Sequence, residues 1–144
     1  MATITEDYVS FEIAKLLKEK RFDSDEVGCY GGFYSERCYE AGRGIKTKSG
    51  QEVGIVYDDL TNSDLEYDEY LRPTLQMAMK WLREVHDIHI VTVFLGHSLK
   101  WTPTIWKIDM VIPESKHVKS TFNTWETYEE ACEAAIKYCL ENLI

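Results

Sequence analysis

The chain has no apolar run near the ~20 residues that a membrane-spanning helix needs. Its first ten residues, MATITEDYVS, lack the basic region and apolar core of a secretory signal. Both absences point to a cytoplasmic protein without a membrane partner. Metal and nucleotide signatures are missing as well. Cys29 and Cys38 are nine residues apart, Cys132 and Cys139 are seven apart, and no C-x-x-C occurs, so zinc-ligand spacing is absent. No G-K-[ST], G-x-G-x-x-G or G-x-S-x-G occurs, and Gly28, Gly31, Gly32, Gly42 and Gly44 fit none of these patterns. Gly31-Gly32 reads as a turn or a bulge. An EF-hand loop begun at Asp64 would put Glu69 where glycine is needed and Leu75 where the bidentate glutamate is needed. No metal and no cofactor is expected.

Basic residues are also unevenly missing. The formal net charge is −9, from 16 Lys and Arg against 25 Asp and Glu, and no Lys or Arg lies between Ser49 and Leu71. That segment holds Glu52, Asp58, Asp59, Asp64, Glu66, Asp68 and Glu69. Nucleic acid is therefore disfavoured as a partner, because phosphate contact needs cations that displace counterions. The acidic segment reads first as a solvated loop. If its carboxylates were ordered on one face, it could instead mimic nucleic acid and sequester a host DNA-binding protein.

What is present is enough apolar residue, 44% of 144, to bury a core, which excludes intrinsic disorder and fits one domain over residues 1–144. The clearest element is the last one. Thr127 followed by Glu130 makes a capping-box start, and Glu129 and Glu130 suit the positive end of the helix dipole. Tyr128, Cys132, Ala135, Ile136, Cys139 and Leu143 then share one side at a repeat of 3.6. Cys132 and Cys139, about 10 Å apart by helix rise, are too far apart to bridge and are expected as buried free thiols. Cys29 and Cys38 could meet across a hairpin but are expected reduced in a cytoplasm.

An earlier helix is expected from Val9 to Lys20, with Val9, Ile13, Leu16 and Leu17 buried and Ser10 or Thr5 as cap. Arg21 stands where glycine would suit its exit. From Gly28 to Tyr57 the pattern is strand-like: Cys29–Tyr30, Phe33–Tyr34 and Tyr39 are aromatic, and Ser49-Gly50 joins Ile45–Lys48 to Glu52–Tyr57 as a hairpin. Pro73 is expected to open a second helix that buries Leu75, Ala78, Met79, Leu82 and Val85 and ends near His86. Ile88–Leu95 reads as a strand and Gly96–Pro103 as a loop. Ile105–Ile112 alternates, with Trp106, Ile108, Met110 and Ile112 facing in, and Val118–Phe122 reads as a short further strand.

Candidate functional residues are few. His86 and His89 straddle a helix end with no third ligand nearby, and a Cys38 nucleophile would need a base that only the fold could supply. Between Gly96 and Trp125, aromatic and basic residues interleave: His97, Lys100, Trp101, Trp106, Lys107, Lys116, His117, Lys119, Phe122 and Trp125. Trp125 suits packing beneath the last helix. Trp101, in the expected loop beside Pro103, is the aromatic least suited to the core and the best candidate for a protein-contact hot spot.

Three stretches carry a resemblance: YVSFEIAKLLKEKRF, LRPTLQMAMKWLREVH and YEEACEAAIKYCLENLI, about a third of the chain. Together they resemble a group of short, uncharacterised proteins encoded in prophages and other mobile elements of gut anaerobic bacteria. The resemblance implies a bacterial cytoplasm and a phage-associated accessory role, and no reaction. The expected fold is a single α+β domain, an antiparallel sheet of about four to six strands with three helices mainly on one face. The expected function is a non-enzymatic binding module whose partner is another protein, host or phage, or a second copy in a homodimer. The acidic mimic ranks next. A small hydrolase or metal enzyme ranks last, because no spacing asks for one.

Overall fold

The structure, a computed structural model, describes residues 7–22, 33–35, 45–46, 52–54, 69–109, 114–119 and 123–144. Its backbone divides into two compact units, Met1–Met77 and Ala78–Ile144. The fold is α+β, with three helices and antiparallel strands among the described residues. The expected single sheet of four to six strands is not shown, for the described strands are shared between two sheets.

In the first unit, α1 (Phe11–Glu19) starts where Ser10 can cap it: the Ile13 N–H donates to Ser10 Oγ at 3.4 Å. Val9, Ile13, Ala14 and Leu17 are buried, while Leu16 is only half-buried. The exit is a Schellman turn built without glycine. The Arg21 N–H donates to the Lys18 carbonyl at 3.1 Å and the Phe22 N–H to the Leu17 carbonyl at 2.9 Å. Arg21 is thereby held at φ 63, a left-handed conformation in which its Cβ is strained. Phe22 and Leu17, joined by that bond, are both fully buried, and their burial offsets the strain.

The described strands of this unit are β1 (Phe33–Ser35), β2 (Ile45–Lys46), β3 (Glu52–Gly54) and β4 (Glu69–Leu71), in the order β2-β3-β1-β4, all antiparallel. Ile45 faces Val53 and Lys46 faces Glu52, the pairing a hairpin around Ser49-Gly50 requires. That turn, Cys29–Tyr30, Cys38, Tyr39 and the Ile55–Tyr57 end of the expected strand lie outside the described residues.

The next helix, α2 (Leu75–His86), corrects one expectation about its start. Thr74, not Pro73, stands at the cap, and the Met77 N–H donates to Thr74 Oγ1 at 3.2 Å. Pro73 lies just outside, where its carbonyl accepts from the Val9 N–H at 3.0 Å, while the Leu75 N–H donates to the Asp7 carbonyl at 2.9 Å. These bonds tie Tyr8 to Thr74 as an isolated antiparallel bridge.

In the second unit, Ala78, Met79, Trp81 and Leu82 of α2 are buried, and Val85, expected inside, is exposed. Val85 belongs to the last turn, which ends as Asp87 swings the chain through φ 56. The ring packed there is that of His86, edge-on to Trp81 at 4.5 Å. The sheet follows as β5 (Ile88–Leu95), β6 (Lys100–Asp109) and β7 (Glu114–Lys119), antiparallel in that order. β5 has the expected bounds. The loop expected over Gly96–Pro103 is only a turn, Gly96–Leu99, and Trp101 and Pro103 are strand residues. Proline is tolerated because alternation points its nitrogen away from β5, toward the side on which the described pairing with β7 reaches only to Ile105. The last described strand already includes Glu114, ahead of the expected start at Val118, and residues 120–122 lie outside the described residues.

The closing helix α3 (Tyr128–Asn142) packs on β5 and β6. The Glu130 N–H donates to Thr127 Oγ1 at 3.1 Å, the expected cap. Ala131, Cys132, Ala135, Ile136, Cys139 and Leu140 are buried, and Tyr128 and Leu143 are half-buried at the margins. Because α3 covers the side of the sheet that carries Pro103 and Ile105, the inward face of β6 is the odd-numbered one. Trp106, expected to face in, is exposed. The pairing of β6 with β7 also slips at Ile105/Trp106, where an irregularity interrupts the ladder.

Candidate functional site

The β5–β6 hairpin collects most of the exposed apolar side chains of the second unit. Its tip is closed by the Ser98 N–H donating to the Leu95 carbonyl at 3.1 Å, and Leu99 then returns the chain at φ 57. Leucine is poorly suited to that left-handed conformation, which glycine or asparagine adopts more cheaply. Leu99 is also 70% exposed, so it gains little from burial to offset the strain. Local strain without a packing return is a feature that points to function.

Beside the tip, Phe94 is 46% exposed and lies over Trp101, their ring centroids 4.9 Å apart. Trp101 meets the Tyr128 ring edge-on at 5.3 Å. Its backbone is fixed by a reciprocal pair of hydrogen bonds: the Trp101 N–H donates to the Trp125 carbonyl at 2.8 Å, and the Trp125 N–H donates to the Trp101 carbonyl at 2.9 Å. Trp101 is thus half-buried and positions its neighbours, where the sequence suggested an exposed loop residue. Phe94 and Leu99 are the residues that sequence reasoning missed. The available signal was the pair of strand patterns on either side of Gly96, which leaves room only for a four-residue turn ending at Leu99.

The basic candidates do not converge as one site. Lys100 Nζ pairs with Glu126 Oε1 at 3.2 Å, and His97 is exposed in the turn. Lys107 lies at the far end of β6, where it faces Lys116 across the ladder, and His117 faces Trp106. Of the acidic candidates, Asp58, Asp59, Asp64, Glu66 and Asp68 lie outside the described residues. Glu69 is placed on β4 opposite Ser35, and Glu52 on β3 opposite Lys46.

The thiols of this unit are buried and free. Burial raises Cys132, a rise moderated by its hydrogen bonds to Thr92, at 3.3 Å, and to Tyr128. Burial pushes Cys139 up to about 12. Neither is a thiolate near neutral pH, so neither is equipped as a nucleophile. Among the described residues, no three His, Cys, Asp or Glu side chains come together as a metal site. No helix among them is long and apolar enough to cross a membrane. No family model, no curated protein and no solved structure matches the chain.

Proposed function

We propose that the chain is a non-enzymatic interaction module of phage or mobile-element origin, acting in a bacterial cytoplasm, whose β5–β6 hairpin tip contacts another protein. One observation carries the reading. Leu99 combines a left-handed backbone with high exposure, two costs that a partner's surface would offset by burying the side chain. Phe94 beside it, stiffened from beneath by Trp101, supplies an aromatic anchor of the kind that dominates interfaces.

The test separates stability from binding. Leu99→Gly relieves the backbone strain and is expected to leave the fold intact, stabilised by up to about 1 kcal/mol. The same substitution is expected to lose a discrete partner in affinity capture from host lysate read by mass spectrometry. Capture of the same protein in the same amount by both chains ends the hairpin-tip reading. A captured DNA-binding protein, retained by Leu99→Gly and lost when Asp64, Glu66 and Asp68 are neutralised, would favour the acidic mimic instead.

A further inference from the structure

The two edges of the β5-β6-β7 sheet are built differently. β7 carries Glu114, Lys116 and Lys119 within six residues, the charges by which edge strands discourage unwanted pairing. β5, the other edge, runs for eight residues as IHIVTVFL without a formal charge or a proline. Its side chains are well displayed: Val91 is 48% exposed and Val93 44%.

The ladder fixes which backbone groups that edge offers. The Ile108 N–H donates to the Asp87 carbonyl at 2.9 Å, flanking the opposed pair Ile88 and Lys107. Hydrogen-bonding direction alternates along an antiparallel strand. His89, Val91, Val93 and Leu95 therefore turn their N–H and C=O groups toward β6. Ile88, Ile90, Thr92 and Phe94 turn theirs outward, where no strand meets them among the described residues. An unprotected edge of this length invites a strand from another chain.

We infer that β5 is the interface of a homodimer, in which two copies pair their β5 strands antiparallel about a two-fold axis perpendicular to the sheet. Three observations select a second copy as the occupant. An antiparallel strand edge is self-complementary, and isologous pairing uses up both edges and closes, so it does not propagate into fibres. The strip is uncharged, which matters when each chain bears a net charge of −9. Most of that charge is also remote in sequence, since residues 1–77 hold nine Lys or Arg against sixteen Asp or Glu, and residues 78–144 hold seven against nine. Registers that match like faces set residues of the same parity opposite one another. Val91 and Val93 then lie beside Val91 and Val93 of the second copy, forming one apolar band across a six-stranded sheet.

This inference does not depend on the hairpin-tip reading, and the experiment keeps the two apart. Light scattering during size exclusion of the full chain should give twice the monomer mass, falling toward the monomer on dilution. Amide hydrogen exchange should show Ile90, Thr92 and Phe94 protected in the dimer and released on dilution, while Val91 and Val93, bonded to β6, stay protected at both concentrations. Val91→Lys and Val91→Glu, each at an exposed position, should each weaken dimerisation about a hundredfold or more. An equimolar mixture of the two should restore it, and Leu99→Gly should leave it unchanged. A wild-type chain that is monomeric at every concentration overturns the proposal. So does a dimer in which the Ile90, Thr92 and Phe94 amides exchange freely and Val91→Lys has no effect.

Discussion

The two compact units solve the same problem with different materials. Among the described residues, the first pairs strand segments of two or three residues beside α1, with its serine cap and Schellman turn. The second builds from strands of eight, ten and six residues and lays α3 against them. Composition accounts for part of the contrast. IHIVTVFL is almost continuously β-branched or aromatic, which favours a long pleated strand, whereas the described part of β3 in the first unit already carries a glycine, Gly54. Each unit holds a left-handed non-glycine residue, Arg21 in the first and Leu99 in the second, but only Arg21 is followed by a fully buried side chain, Phe22, that offsets its strain.

The strongest way to break that comparison is to open a cavity in each core. Ile136→Ala, on the buried face of α3, should cost about 2–5 kcal/mol in chemical denaturation, as such truncations at fully buried sites do. Leu17→Ala in the first unit should cost a similar amount, since Leu17 is equally buried. A Leu17→Ala loss below about 1 kcal/mol would mean that the first unit's core is loosely packed, and the likeness in burial would be misleading.

Alkaline pH sharpens the contrast next, because the buried described thiols lie only in the second unit. Cys139 titrates near its ordinary value of 9.0 when unfolded and at about 12 when folded. Its stabilisation is fully present below pH 9 and is lost as pH rises from 9 through 12, because the unfolded chain releases that proton first. The loss should approach about 1.4 kcal/mol per pH unit within that window. Cys139→Ala should show a shallower decline over the same range, and equal slopes for the two chains would contradict the assignment.

The smallest effect tests the first unit's helix exit. Arg21→Gly removes the left-handed strain but adds unfolded-chain entropy, so a gain of a few tenths to about 1 kcal/mol is expected in thermal denaturation. A loss would mean that the Arg21 side chain contributes more than its backbone costs.

Legibility in the sequence followed the range of the interactions involved. Thr127 and Ser10 were readable as caps, because a cap acts over three residues of its own helix. The bounds of β5 were readable from its composition, and the antiparallel pairing of β2 with β3 from the residues around Ser49-Gly50. Thr74 was missed because Pro73 offers a competing start signal one residue earlier. Trp101 and Trp106 were each assigned the wrong environment. Alternation says which residues share a face but not which face a helix will cover. The candidate site was less legible than the fold, since Phe94 and Leu99 carry no motif and stand out only once their exposure and backbone are known.

The sequence by itself determined the three described helices, the longest uncharged strand among the described residues and a charge imbalance concentrated before residue 78, all consequences of local propensity and composition. Only the tertiary structure decided that the described strands divide between two sheets, that α3 covers the Ile105 face and leaves Trp106 exposed, and that β5 is an edge of its sheet among the described residues. Those outcomes depend on which neighbour reaches a given surface, and residues far apart in the chain settle that jointly.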